Sequence, residues 1–392
     1  MASEPARKPT ALVLMGALWP GNDATGPSIS LMAMIEALAD EFAFLRVARD
    51  RPVGDAAPLA ASGRWLEAPG GAARYCPPGA RGLAELAAIL RETPHDLLLL
   101  NGFHDREFTI PALLMRRLGL APRRPAILAP RGEFSAAALG LKPIRKAAYG
   151  ALARSTGLLA DVWLHATSAE EAEDMKATAA CAGGCLVAPN IRALLAQPPH
   201  VAATDGMVRL CFLGRISRVK NLDLALRSLA RVRAPIVFDI YGPVEDPLHW
   251  EECRALIAAL PPHIAATAHG AIANGATPQM LARHDLLFLP SRSENFGHAI
   301  FEALCCGVPA LIGDATPWRG LEAAHAGWDL PLDAEAFARA IDAFAAMDEA
   351  GRARLREGAR ALAERRNRES DAVAATRRML GHALAEGRKC AA

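Results

Sequence analysis

Short, predominantly apolar runs, three to six residues long, recur along the second half of the chain: Val208 to Leu213, Ile236 to Tyr241, Ile264 to Ala268, Leu286 to Leu289 and Ala310 to Ile312. Stretches with helical periodicity separate them, at about Asn221 to Arg231, Leu248 to Leu260, Pro278 to His284 and His298 to Cys306. A short run that is mostly apolar predicts a buried strand. Strands of that kind alternating with helices predict a parallel sheet covered on both sides. The first half repeats the pattern less cleanly. Ala11 to Met15 ends in a Gly-rich loop, Gly16 to Pro27, and a helix follows with Leu31, Met32, Ile35 and Leu38 at helical spacing. Leu97 to Leu100, Ala126 to Leu128 and Val162 to Leu164 are further strand candidates, the last leading into Ser168-Ala-Glu-Glu171, a capping box. Ala193 to Gly206, with Gln197-Pro-Pro-His200, has no periodicity and reads as a linker. A chain of 392 residues exceeds what one core usually organises. We therefore expect an α/β protein of two doubly wound domains, 1–192 and 206–367, with ligand crevices at the carboxyl ends of their strands.

The chemistry concentrates in two segments of the second half. Ser291-Arg-Ser-Glu-Asn-Phe-Gly-His-Ala-Ile-Phe-Glu-Ala-Leu-Cys-Cys-Gly-Val-Pro309 follows a buried strand and opens a helix. Glu294 lies on its loop, Glu302 a turn inside the helix, and Gly297 lets the amides from Phe296 to Ala299, His298 among them, point at an anion. The helix dipole favours negative charge at the same place. Two carboxylates bracketing an anion site suit a sugar diphosphate; the plainer alternative is a helix cap plus a surface glutamate. Phe212-Leu-Gly-Arg-Ile-Ser-Arg-Val-Lys-Asn221 sits at the first turn of the same half. Gly214 ends the strand, and Arg215 and Lys220 can reach across the mouth of the sheet. Two cations there neutralise a departing diphosphate without a metal ion, unless the turn is simply a solvated basic one.

Together these segments resemble glycosyltransferase family 4. The family's Gly-Arg followed a turn later by Lys matches Gly214-Arg215 and Lys220. Its paired glutamates match Glu294 and Glu302, its Phe-Gly matches Phe296-Gly297, and its trailing Gly-Val-Pro matches Gly307-Val308-Pro309. Ala129-Pro-Arg-Gly-Glu-Phe-Ser135, His165-Ala-Thr-Ser-Ala-Glu-Glu171, Ala188-Pro-Asn-Ile191, Thr316-Pro-Trp-Arg319 and Ala326-Gly-Trp-Asp329 look like bacterial surface-polysaccharide and lipopolysaccharide members. The resemblance implies a GT-B fold, two Rossmann-like domains facing across a cleft, with helix 370–387 joining the first. It implies a retaining transfer of a hexose-type sugar from a UDP- or GDP-linked donor to a saccharide or lipid-linked acceptor, with no cofactor beyond the donor. Arg215 and Lys220 would hold the diphosphate, Glu302 the ribose and Glu294 the donor sugar, with Asn295 to Gly297 closing over it. Thr25-Gly26-Pro27 matches the loop that approaches the diphosphate. The nucleobase would lie near Gly242 and the His269-Gly270-Ala271 turn. A GT-B nucleotide-sugar epimerase, or a scaffold that binds the donor without turnover, are the alternatives.

One position departs from the family. Where many members carry a histidine, this chain reads Pro130-Arg131-Gly132. An arginine stays protonated and is no base. It can bind a phosphate or carboxylate on the acceptor, assist the leaving group, or pair with Glu133. Glu133 and His104 are the candidates for proton handling, and the base stays unassigned. Nine basic residues between Arg116 and Arg154 face Glu133 alone. With Leu139, Leu141, Ile144, Ala148, Tyr149 and Leu152 interleaved, they predict either peripheral contact with an anionic membrane through 116–154 or a solvated basic face.

A net charge of +2 argues against nucleic acid as a partner. The start lacks the order of a secretion signal, and no apolar run approaches a membrane span. The expectation is a cytoplasmic protein, peripheral at most on the inner face of the membrane. The eight cysteines show no disulfide or zinc spacing and read as small buried thiols.

Overall fold

A computed structural model describes residues 7–20, 26–52, 55, 57–60, 63–131, 133, 149–151, 153–178, 183–201 and 206–391. The chain divides into two compact units, Met1–Arg192 with Asp371–Ala392, and Ala193–Ser370.

The first unit is built on eight strands: β1 (Thr10–Leu14), β2 (Ala43–Arg49), β3 (Trp65–Ala68), β4 (Gly71–Cys76), β5 (Leu97–Asn101), β6 (Ala126–Ala129), β7 (Val162–Ala166) and β8 (Gly184–Val187). They lie in the order β3-β4-β2-β1-β5-β6-β7-β8 and are parallel except for β3 against β4. Helices α1 (Gly26–Leu38), α2 (Gly79–Glu92), α3 (Thr109–Arg117), α4 (Ala169–Thr178) and the last helix of the chain, α11 (Ala372–Ala391), belong to this unit. Successive side chains of a strand point to opposite faces, and β5 shows the result. Leu97 and Leu99 pack with Leu31 and Ile35 of α1 and Met379 and Leu380 of α11. Leu98 and Leu100 pack with Leu86 and Ile89 of α2 and Leu113 of α3. A strand with helices on both faces has no polar side, which is why its sequence is Leu-Leu-Leu-Leu. Arg377 of α11 also grips Glu41 with two nitrogens, at 2.7 Å from Nε and from Nη2.

The second unit has six parallel strands, β9 (Val208–Leu213), β10 (Ile236–Tyr241), β11 (Ile264–Gly270), β12 (Leu286–Leu289), β13 (Ala310–Gly313) and β14 (Gly327–Leu330), in the order β11-β10-β9-β12-β13-β14. Its helices are α5 (Leu222–Leu229), α6 (Pro247–Ala258), α7 (Thr277–Leu281), α8 (His298–Cys305), α9 (Ala334–Ala345) and α10 (Glu349–Glu369). Aspartates cap α6, α9 and α10: Asp246, Asp333 and Asp348 each accept a first-turn N–H at 2.7–3.1 Å.

Five strands were not expected from the apolar runs: β2, β3, β4, β8 and β14. Each is short, at an edge, or interrupted by polar residues, as in Ala43-Phe-Leu-Arg-Val-Ala-Arg49. The Pro-rich stretch is no free linker either. Leu194 and Leu195 pack on the second core, and Val201 N–H donates to the carbonyl of Ala282 at 2.8 Å. Among the described cysteines, Cys76, Cys211, Cys253, Cys305 and Cys306 are buried thiols; burial pushes Cys306 up to about 12. Cys181 lies outside the described residues.

Candidate functional site

The chain of the second unit lays down β9, β10 and β11 outward in one direction, then returns to place β12 on the other side of β9. Loops diverge at such a switch point and leave a crevice. The loop after β9 carries Lys220 and the loop after β12 carries Glu294. The Lys220 ammonium donates to Glu294 Oε1 at 2.5 Å, and Ser291 Oγ donates to the same oxygen at 2.7 Å. Their side chains are only 16% and 8% exposed, so the pair is nearly withdrawn from water. The two loops are laced together around it. Asn221, held at φ 62°, donates from Nδ2 to Pro290 O at 3.0 Å and accepts from Arg292 Nε at 3.0 Å.

Gly297 precedes α8 with φ 79°, in the left-handed region that favours glycine. A Cβ there would stand 2.9 Å from Ile300 Cδ1 and 3.0 Å from Trp318 Nε1. Trp318 Nε1 donates to the Phe296 carbonyl at 2.6 Å, which fixes the backbone Asn295–Phe296–Gly297 from behind. The first amides of α8, from His298, follow directly. Glu302 is buried inside α8, so it is not a surface glutamate, and no side chain caps the helix. Arg215 stands apart from Lys220: it is half exposed and ion-paired with Glu245. An exposed pair of that kind is worth at most about 1 kcal/mol and gives way easily to a better anion.

The ends of β9, β10 and β11 are glycines in close backbone contact. Gly214 N–H donates to Tyr241 O at 2.9 Å and Gly242 N–H to Gly270 O at 2.8 Å. Beside them is a polar cluster that the apolar runs did not signal. Asp239 takes His269 Nε2 at 2.6 Å and His284 Nε2 at 3.1 Å, and Tyr241 stacks on His269 with centroids 4.7 Å apart. Burial pushes the Asp239 carboxyl up, but the hydrogen bonds with His284 and His269 outweigh it and hold it below the usual carboxylate range.

In the first unit the equivalent strand ends gather the acceptor-side candidates. Gly26 starts α1, and Thr25 lies outside the described residues. His104 follows β5 and Glu133 follows β6. Glu133 Oε2 accepts the His104 backbone N–H at 2.9 Å and lies 2.8 Å from His104 Nδ1. The two candidates for proton handling are therefore one dyad, wedged against Phe103 and Tyr149. This overturns the Arg131–Glu133 pairing. Arg131 turns the other way, donating from Nε and Nη2 to Asn101 Oδ1 at 3.2 and 3.0 Å and from Nη1 to Asn190 Oδ1 at 3.0 Å. Burial brings its guanidinium down to about 10, partly offset by Glu171, so it stays protonated at neutral pH. Burial, and then Arg131 itself, pull His165 down to about 4; that imidazole is neutral.

The basic stretch needs correction too. Arg116 is buried and ion-paired with Asp161 at 3.1 Å, so it is no part of a basic surface. Leu139, Leu141, Ile144, Ala148 and Leu152, with Lys142, Arg145 and Lys146, lie outside the described residues. What is exposed is the turn after α3: Leu118 (69%) and Leu120 (57%), flanked by Arg117, Arg123 and Arg124.

Residues 199–362 match the model of a family described as glycosyl transferases group 1. Among solved structures, sucrose-phosphate synthase from Thermosynechococcus elongatus is 16% identical, with 98% of this chain and 100% of that one covered and a TM-score of 0.69. Anabaena HepE in complex with UDP-glucose is 16% identical over 97% and 99% of the two chains, with a TM-score of 0.65. WaaG, a glycosyltransferase involved in lipopolysaccharide biosynthesis, is 12% identical over 94% and 98%, with a TM-score of 0.62. A comparison with curated proteins gives no match. At these identities the structural likeness establishes the fold: two Rossmann-like α/β units of the GT-B type. The residues that match the family model, 199–362, fall within the second of them.

Proposed function

We propose that the protein is a retaining, metal-independent glycosyltransferase of the family 4 type. It moves a hexose-type sugar from a UDP- or GDP-linked donor to a saccharide or lipid-linked acceptor, in bacterial cell-surface glycan synthesis. The observation that carries this reading is the Lys220–Glu294 pair, nearly buried at the switch point of the second sheet and beside the left-handed Gly297. A salt bridge kept out of water is a costly structural device, and its place is where α/β sheets bind ligands. The donor diphosphate lies against Lys220, Arg215 and the amides from Phe296 to Ala299. Glu302 takes the ribose hydroxyls, Glu294 the sugar, and Gly214 and Gly270 lie along the nucleotide. As the bond to the anomeric carbon breaks, negative charge grows on the leaving diphosphate, and fixed cations and amides stabilise it more than the ground state. The acceptor hydroxyl enters from the same face, which retains configuration.

The test is calorimetric titration of the whole chain, without added metal, with UDP and with GDP. Binding of one nucleotide, followed by sugar transfer from its sugar conjugates, is the expected result. If neither nucleotide binds, the reading fails. If a donor is bound and isomerised without an acceptor, the epimerase reading replaces it.

Contact with an anionic membrane belongs to the same proposal, now through the turn after α3. Leu118 and Leu120 enter the headgroup boundary, and Arg117, Arg123 and Arg124 each contribute about 1 kcal/mol against anionic lipid. The protein should sediment with vesicles containing phosphatidylserine and not with pure phosphatidylcholine. Leu118→Asp with Leu120→Asp should weaken that binding at least about tenfold. Equal sedimentation of the variant would remove this turn from the contact.

A further inference from the structure

We propose that Arg131 receives an oxyanion, a phosphoryl or carboxylate group carried by the acceptor substrate. The word acceptor rests on the transferase reading; the anion site itself rests only on the first unit. The guanidinium has five N–H donors. Three are used, one from Nε and one from each terminal nitrogen, and all go to neutral amide oxygens of Asn101 and Asn190. One N–H remains on each terminal nitrogen, a two-point fork of the kind that matches the two oxygens of a phosphoryl or carboxylate group.

The surroundings hold that fork in place. Asn101 is 6% exposed and its Nδ2 points to Leu14 O, 3.5 Å away, which turns Oδ1 toward the arginine; Asn190 is 8% exposed. The nearby His165 is buried and neutral. Glu171 is the one acid whose charge favours the guanidinium, yet its carboxylate takes the N–H and Oγ of Thr167, both at 2.7 Å. Among the described residues no carboxylate forms a salt bridge with Arg131. The cation is thus positioned, largely desolvated and offset only by the charge of Glu171 without a salt bridge, yet partly open to solvent. A buried charge without a counter-ion is unfavourable in the free protein. Its backbone adds strain, since Arg131 holds φ 56° where a side chain is disfavoured. An anionic ligand relieves the first cost, and the strain is of the kind that accumulates where a side chain is aimed at one.

Asn190→Asp is the decisive variant, because it supplies from inside the counter-charge that the ligand would bring. The experiment titrates the whole chain with inorganic phosphate, and separately with acetate, in a saturating concentration of whichever of UDP and GDP binds, so that the donor site is filled. Wild type should bind at least one of the two anions, and whichever binds more tightly identifies the acid class. Both Asn190→Asp and Arg131→Gln should weaken that binding at least about tenfold, and Asn190→Asp should raise the melting temperature in anion-free buffer. Arg131→Gln tests the cation directly, and Asn190→Asp decides the matter if that variant does not fold. If wild type binds neither anion, or Asn190→Asp binds it as wild type does, the proposal is overturned. Binding of UDP and of GDP is read first, in anion-free buffer, so a failure of the transferase reading shows there and leaves the anion result standing.

Discussion

Lys220→Met is expected to lower turnover about 10²–10³-fold and to destabilise the second unit, whereas Lys220→Met with Glu294→Gln recovers most of the stability and none of the turnover. The reasoning starts from burial. With the two side chains 16% and 8% exposed, Met in place of Lys keeps the aliphatic stem that packs beside Gly214 but leaves Glu294 with only the Ser291 hydroxyl. Removing one partner of a buried pair costs about 3–5 kcal/mol, because the remaining charge is stranded. Gln at position 294 removes that charge at constant shape and still accepts from Ser291. A pair kept for stability would show its loss in the melting temperature alone. A pair kept for chemistry loses turnover in both variants, and only the single variant melts early. Calorimetry for the fold, and turnover of the donor identified by nucleotide titration for activity, separate the two. A double variant with turnover within a few-fold of wild type would sink the donor-site assignment.

That cycle was not designable from the sequence. Lys220 and Glu294 are both legible there as candidates, but with separate tasks, one on the diphosphate and one on the sugar. They are 74 residues apart, and nothing local says that they touch. What joins them is the strand order, which puts β12 beside β9, and strand order is set by packing over the whole unit. The same holds for Arg131. Its departure from histidine was visible, but its partners, Asn101 and Asn190, come from the ends of β5 and the segment after β8, and neither carries a signal in isolation. The nearer acid, Glu133, was the natural partner by sequence distance, and the turn at Arg131 sends it to His104 instead. Strands were legible in proportion to burial. β9, β10 and β12 coincide with their apolar runs at both ends; β12 is buried throughout and β9 nearly so, while β10 buries every second residue. β3 and β4, an edge hairpin reading Trp-Leu-Glu-Ala and Gly-Ala-Ala-Arg-Tyr-Cys, have one face toward water and no such run. Trp318, which holds the Phe296 carbonyl, sat within a stretch that resembled the family, yet its role depends on an indole reaching a loop 22 residues earlier.

Gly242→Ala should be among the most damaging single substitutions in the second unit, and Gly270→Ala, one strand over, should be mild. Both glycines end strands with positive φ, 145° and 73°, so each alanine carries a conformational penalty of about 1–3 kcal/mol. They differ in what a methyl group meets. At Gly270 nothing lies within 4 Å of the added Cβ. At Gly242 the Cβ would fall 1.9 Å from the carbonyl oxygen of Gly214 and 2.6 Å from its carbon. That contact is backbone on backbone, which no rotamer change relieves. β9 and β10 must part at their carboxyl ends, loosening the Gly214 N–H bond to Tyr241 O and shifting the turn that carries Arg215 and Lys220. Overpacking adds about 1–3 kcal/mol to the strain, so Gly242→Ala should cost about 2–6 kcal/mol in all. At about 2–4 °C per kcal/mol for a unit of this size, its melting transition should fall by about 4–24 °C, with nucleotide affinity falling alongside. Gly270→Ala should lose only a few degrees and bind nearly as before. Scanning calorimetry of both variants, with and without the bound nucleotide, decides it. Equal losses would mean that φ alone matters at these strand ends, and that the close approach of Gly242 to Gly214 does not position the Lys220 turn.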